Sequence, residues 1–190
     1  MKAVKTNIPG VVILEPEIHG DDRGYFFESW TERDFARLVA PVHFVQENQS
    51  RSHRGVLRGL HFQRPPFAQA KLVRVVEGTV IDVAVDLRLG SPTYGRYTAV
   101  ELSADNKRQL FIPRGMAHGF FVPSESATFI YKCDNYYHPE SEGGIAWDDP
   151  DLNIEWPLSG IAPDLSAKDR LHGSWADFKT PFTYDNDFNY

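Results

Sequence analysis

Between residues 10 and 135 the chain is cut into short runs rich in Val, Ile, Phe, Tyr and Thr, each closed by Gly, Pro, Asn or Asp. The runs are VVILEP (11–16), YFFESW (25–30), HFVQENQS (43–50), VLRGLHFQ (56–63) and KLVRVVEG (71–78). TVIDVAVDLR (79–88), YTAVELS (97–103), QLFIP (109–113), GFFVPS (119–124) and ATFIYKC (127–133) continue the series. β-Branched and aromatic side chains suit a pleated, half-buried surface. Many such runs at near-regular spacing predict an antiparallel sandwich or barrel, and the lack of strand–helix alternation argues against a parallel α/β sheet. A double-sheet jelly roll fits best, because its tapering interior lets side chains from many strands converge. Glu77-Gly78 is read as a tight hairpin between the runs on either side. Short peripheral helical pieces are expected at TERDFARLV (31–39), with Thr31 as N-cap and Asp34 three residues on, and at SAKDRLH (166–172), capped by Ser166. No linker or repeat divides the chain, so residues 1–190 are read as one domain with an irregular tail from about residue 173.

Hydrophobic residues make up 42% and aromatics 13%, enough for a packed core. With 20 Lys+Arg against 26 Asp+Glu the net charge is −6, and no basic block occurs, which argues against a nucleic-acid partner. Cys133 is alone, so no internal disulfide can form; it reads as a small buried hydrophobe in a reducing, cytoplasmic setting. No apolar run reaches membrane-spanning length, and MKAVKTNIPG lacks a signal-like apolar segment, so no membrane association is expected.

Polar residues inside the strands carry the functional question. Burying an ionisable group without a partner costs several kcal/mol, so such groups imply partners or a ligand. Arg74, Glu101 and Lys132 are expected to face solvent. Arg58, His61 and Lys71 fall within 14 positions of strand-rich sequence and suit an anionic ligand or a developing negative charge. Arg58 and His61 have opposite parity, however, and in a regular strand would point to opposite faces. Gly59 between them predicts a bulge that lets both share one cavity. His118 follows a Pro-Arg-Gly turn and reads as structural on its own. His53, His61 and His118 allow a three-His metal site, but no HxH or HxxxH pair supports it. Tyr131 alternates with Phe129 and Cys133, and is either a satisfied core tyrosine or a proton donor.

DDRGYFFES (21–29), VQEN (45–48), GVLRGLHFQ (55–63), AQAKLVRV (68–75), DVAVDLR (82–88) and NKRQLFIPRGMAHGF (106–120) together resemble the dTDP-4-dehydrorhamnose 3,5-epimerase family. The likeness extends through the residues around Tyr131–Glu140, WDDPDLNIEWP (147–157) and LSAKD (165–169) in the same order. It implies a cupin-type jelly roll, a homodimer, no metal or organic cofactor, and epimerisation of dTDP-4-dehydro-6-deoxy-D-glucose at C3 and C5. By matching position, His61 would be the general base, Asp169 its carboxylate partner and Tyr131 the acid on the other face. Lys71 would meet the 4-keto oxygen. Arg23, Glu28, Gln46, Asn48, Arg58, Gln63, His118, Glu142 and Lys168 would line the substrate site, and Tyr137 would stack on the thymine. Gln49 and Phe67 depart from the pattern, where relatives often carry His, and Tyr or His, respectively.

The chemistry agrees with these residue types. C3 and C5 flank a ketone, so their hydrogens are acidified through the enolate, and inversion needs a base on one face and an acid on the other. Three other readings stay open: an epimerase for one centre only, a metal-dependent cupin using His53, His61 and His118, and a non-catalytic sugar-binding jelly roll.

Overall fold

The computed structural model describes residues 1–184; residues 185–190, the end of the expected irregular tail, lie outside the described residues. The chain runs β1 (Lys2–Lys5), β2 (Val12–Glu15), β3 (His19–Asp21), β4 (Gly24–Phe26), helix α1 (Glu32–Leu38), β5 (Gln46–His53) and β6 (Leu57–Gln63). It continues with β7 (Lys71–Glu77), β8 (Thr79–Asp86), β9 (Tyr97–Ser103), β10 (Gln109–Ile112), β11 (Met116–Phe121), β12 (Ser126–Cys133) and β13 (Glu142–Gly144). One sheet has the order β1-β2-β10-β7-β12-β5 and the other β13-β6-β11-β8-β9, with β3-β4 a separate hairpin. All pairings between strands are antiparallel. This is the expected double-sheet jelly roll.

Strand alternation sorts the side chains into three apolar layers. Val73, Val75, Val80, Ala84, Val100, Leu102, Leu110, Ile112, Phe120 and Phe129 come from both sheets and fill the space between them. The odd partners Val83, Val85 and Ala117 face outward, with Leu60 and Phe62, and are covered by the tail through Trp175, Phe178 and Phe182. Leu14, Leu72 and Phe111 on the other outer face are covered by Phe35 of α1 and by Val42. Each sheet is therefore buried on both faces over much of its width, which explains the near-continuous apolar runs of β8 and β11.

Local chemistry explains several elements. The Thr31 hydroxyl accepts from the Asp34 amide at 3.4 Å and caps α1 as expected. Ser166 likewise accepts from the Asp169 amide at 3.1 Å, opening the 3-10 turn Asp169–Leu171. Arg74, Glu101 and Lys132 lie on outward positions of β7, β9 and β12, and Lys132 pairs with Glu47 at 2.6 Å.

Two expectations need correction. Glu77-Gly78 does not make a hairpin: β7 pairs with β10 and β12, and β8 with β9 and β11, so the chain changes sheet at Gly78. One residue is too short to fold a strand back on itself, and Gly78 at φ +73 turns the chain sideways instead. The run 25–30 is strand only to Phe26; beyond it Ser29 gives its carbonyl to the Gln109 side chain and Trp30 packs on Phe44.

Candidate active site

The expected irregularity at Gly59 is present and fixes the site. In the β6–β11 ladder, His61 sits opposite His118 and Arg58 opposite Phe120. Three steps on β6 therefore match two on β11, the signature of one extra residue in the bulged strand. His118 and Phe120 share a face, so Arg58 and His61 do too, despite their unequal parity. Gly59 has φ +132, and a β-carbon there would lie 2.6 Å from Gly119 Cα, so only glycine lets the strands approach.

The facing sheet presents its inward residues in rows. Lys71, Cys133 and Gln46 lie side by side across β7, β12 and β5, and Val73, Tyr131 and Asn48 form the next row. His61 and Gln63 approach from β6, and Glu142 stands opposite Gln63 on β13. Together they enclose a cleft of ≈ 300 Å³ lined by Gln46, Asn48, His61, Gln63, Lys71, Tyr131, Tyr137 and Glu142. A second lobe of ≈ 430 Å³ shares His61 and Glu142 and is lined by Arg58, Lys168 and Asp169 as well.

His61 Nε2 lies 2.5 Å from Asp169 Oδ1, across 108 positions of sequence. Burial pushes the Asp169 carboxyl up, but the hydrogen bond with His61, and then its charge, hold it below the usual carboxylate range. Lys71 is drawn below the usual lysine range by burial, against the stabilising charges of Cys133, Asp82 and Glu142. Its Nζ is 5.8 Å from the Tyr131 ring centroid. Burial raises the Tyr131 phenol, with Cys133 adding to the effect, so it keeps its proton at neutral pH. Glu142 accepts from the Tyr137 hydroxyl at 2.6 Å and pairs with Lys168. These contacts outweigh the upward push of burial and keep it low.

Gln63 lines the cleft and also shapes it. Its amide donates to the Phe67 and Tyr136 carbonyls at 2.9 and 3.3 Å and accepts from the His138 amide at 2.7 Å. Gln46 donates to Asn48 and accepts from the Tyr137 amide, setting that loop against β5. Gln49 is exposed, on the opposite face of β5 from Asn48. Phe67 stacks on His138 with centroids 3.9 Å apart.

Three expected lining residues stand elsewhere in the single chain. His118 lines neither lobe; it points between the sheets, where its Nε2 meets Asp82 Oδ2 at 2.9 Å. Burial drives both partners toward their neutral forms, raising Asp82 and lowering His118. Asp82 was legible in principle, since it shares parity with the core residues Val80 and Ala84. Arg23 and Glu28 also line neither lobe. Arg23 pairs with Asp21 at 2.5 Å on the β3–β4 hairpin, which joins no other strand among the described residues.

The three-His set is not assembled. His53 pairs with Asp164, His61 with Asp169 and His118 with Asp82, each on its own carboxylate. Donor atoms that do gather, within 4.8 Å of one another, belong to His61, Asp169 and His172. Ligands of a tetrahedral zinc stand roughly 3.3 Å apart, given bonds near ~2.0 Å. The 2.5 Å between His61 and Asp169 is closer than that and fits a direct hydrogen bond between them. His172 was missed in the sequence because it follows the last assignable motif, one turn beyond Asp169.

A family model described as dTDP-4-dehydrorhamnose 3,5-epimerase matches residues 5–177. A dTDP-4-dehydrorhamnose 3,5-epimerase from Salmonella typhimurium is 57% identical over 170 residues, spanning 89% of this chain and 92% of that protein. The crystal structure of a dTDP-6-deoxy-D-glucose-3,5-epimerase from Legionella pneumophila, in complex with dTDP-4-keto-L-rhamnose, superposes with TM-score 0.92 at 48% identity and covers 97% of this chain and 99% of that one. A 3'-monoepimerase from Streptomyces bikiniensis, in complex with dTDP-quinovose, reaches TM-score 0.85 at 36% identity, covering 93% and 88%.

Proposed function

The chain belongs to the dTDP-4-dehydrorhamnose 3,5-epimerase family, and we propose that it inverts C3 and C5 of dTDP-4-dehydro-6-deoxy-D-glucose to give dTDP-4-dehydro-L-rhamnose. One observation carries the reading of the site: His61 and Tyr131 come from opposite sheets and line one cleft with Lys71 beside them. A base and an acid on opposite walls are what inversion at carbon requires. His61 removes the proton next to the ketone, and ionised Asp169 holds the imidazole and stabilises its cation. Lys71, below its ordinary pKa, is a strong donor to the enolate oxygen that forms at C4. Tyr131, still protonated, returns a proton from the other wall. Arg58 and Lys168 in the second lobe suit the diphosphate, and exposed Tyr137 suits the thymine face.

We further infer a homodimer. Tyr25 and Phe26 on the β3–β4 hairpin are 63% and 71% exposed, an apolar surface that a second copy would cover. That arrangement would also give Arg23 and Glu28 a cleft to reach, on the partner. No helix among the described residues is long and apolar enough to cross a membrane, and the single buried thiol fits a cytoplasmic enzyme.

Turnover in deuterated water, followed by NMR of the product, tests the reaction. Deuterium at both C3 and C5 is expected. Exchange at one carbon alone would assign the chain to single-centre epimerisation, a reaction that this fold also hosts in the Streptomyces bikiniensis protein.

A further inference from the structure

Asp169 meets a second imidazole. His172 lies one 3-10 turn further on, and its Nε2 stands 3.4 Å from Asp169 Oδ1, the same oxygen that meets His61. The His172 side chain is 10% exposed. Its Nε2 is closed to solvent and has no hydrogen-bond partner among the described residues, the 3.4 Å contact being too loose to count as one. A buried polar nitrogen with a single long contact needs a reason for being there. The two rings meet edge to face with centroids 5.4 Å apart.

The fold makes deliberate room for this ring. Gly144 pairs with His61 across the β13–β6 ladder. A β-carbon on Gly144 would overlap Cε1, Nδ1 and Nε2 of His172. Gly144 is outside the left-handed backbone region, so its missing side chain supplies space rather than conformation. The next residues lock the placement: Ile145 bridges Gly173, and the Ala146 amide donates to the Gly173 carbonyl at 2.9 Å.

We propose that His172 is a positioning residue that steers the Asp169 carboxylate during proton transfer by His61. The proposal rests on the reading of His61 as the base. The ionisable groups around the ring are His61 from β6 and Asp169 and Lys168 from its own turn. Burial, and after it the charge of His61, hold His172 below the ordinary histidine range and so favour its uncharged form. A neutral Nε2–H can fix Oδ1 without acting as a rival counter-ion. By sharing that oxygen it also weakens the hold of Asp169 on the His61 proton. Without it, Asp169 holds the proton on the His61 imidazole more firmly, and the freed carboxylate orients that imidazole less well.

The test compares His172→Phe, which keeps a ring but loses the nitrogen, with His172→Gln, which restores a donor. Each is measured for kcat over roughly pH 5 to 9, where an imidazole base titrates, together with dTDP affinity and Tm. His172→Phe is expected to lower the plateau kcat about tenfold and move the acidic limb to higher pH, with dTDP affinity unchanged. His172→Gln is expected to recover most of the rate. Gly144→Ala, which expels the ring and leaves His172 intact, should reproduce the Phe variant. A Phe variant within twofold of the wild-type rate and limb overturns the proposal and leaves the ring as packing, as does an equal loss in Phe and Gln, which would show that a donor at this position does not matter. If His172→Phe does not fold, an unshifted limb in Gly144→Ala overturns it. His61→Asn in parallel tests the base reading alone: turnover near wild type there would defeat that reading whatever His172 does.

Discussion

Asp86, at the end of β8, and Asp169, at the cleft, are both buried carboxylates, 0% and 4% exposed, and they are handled in opposite ways. Asp86 Oδ1 accepts from the Arg88 amide and Nε, and Oδ2 from Arg88 Nη2, Ser91 and Thr93, all between 2.5 and 3.0 Å. Arg88 also donates to the Pro9 carbonyl and lies over Tyr184, tying both chain ends to the sheet. Those donors keep their protons at any working pH. Asp169 instead meets imidazoles through Oδ1: His61 at 2.5 Å, the group proposed to take up and give back the substrate proton, and His172 at 3.4 Å. Both carboxyls sit below the usual carboxylate range: burial raises them, and hydrogen bonds from Arg88 or from His61 outweigh it. The direction of a pKa shift therefore does not mark the working group. The exchangeability of its partners does.

The sharpest way to break this contrast is at His61. His61→Asn should lower kcat by about 10³–10⁴-fold, as loss of a proton-transfer group does, with denaturant stability and dTDP binding near wild type. A parallel fall in stability would make the His61–Asp169 pair structural after all. Asp86→Asn should do the reverse. Removing the carboxylate charge that faces buried Arg88 costs about 3–5 kcal/mol in urea unfolding, while kcat per folded molecule holds.

The pH dependence of stability carries the same comparison. The folded pKa of Asp86 lies below its unfolded value, so the unfolded chain binds more protons between the two. Stability from this group is present above about pH 4, the unfolded value, and is lost as pH falls through the folded pKa. Acid titration followed by circular dichroism should show a shallower loss below that point in Asp86→Asn. A smaller effect on rate is expected from Lys71→Met, about 10²-fold to 10³-fold in kcat if its ammonium meets the enolate oxygen; a change confined to KM would assign it to binding. The smallest effect lies at Cys133. Burial pushes its thiol up to about 11, so native protein should resist iodoacetamide at neutral pH by mass spectrometry, and Cys133→Ala should leave kcat within about twofold.

The local geometry was legible in the residues themselves, whereas most of the candidate site residues were named only through the resemblance. The Gly59 bulge follows from parity alone, and the Thr31 and Ser166 caps from hydroxyl chemistry within three residues. What escaped depends on distant partners. Gly78 has runs on both sides that alternate alike, and only the assignment of β7 and β8 to different sheets separates a corner from a hairpin. His118 read as structural on its own and as a lining residue only through the resemblance, and its Nε2 meets Asp82 on the neighbouring strand. Arg23 and Glu28 belong to a hairpin whose place depends on contacts outside the single chain. His172 had no motif, and its space is made by Gly144, which no sequence rule connects to it.

The extra residue at Gly59 also makes the position of the His61 imidazole a matter of counting. Deleting Gly59 would leave every apolar residue of β6 chemically intact, yet Arg58 and His61 could no longer both face inward. Keeping His61 in place would turn Arg58 to the outer face of the sheet, the side of Leu60 and Phe62; keeping Arg58 would send the imidazole there instead. A single lost codon at that point would therefore separate folding from the proposed function: a chain with its aliphatic layers largely available, and no way to hold the Arg58 guanidinium and the His61 imidazole in one chamber.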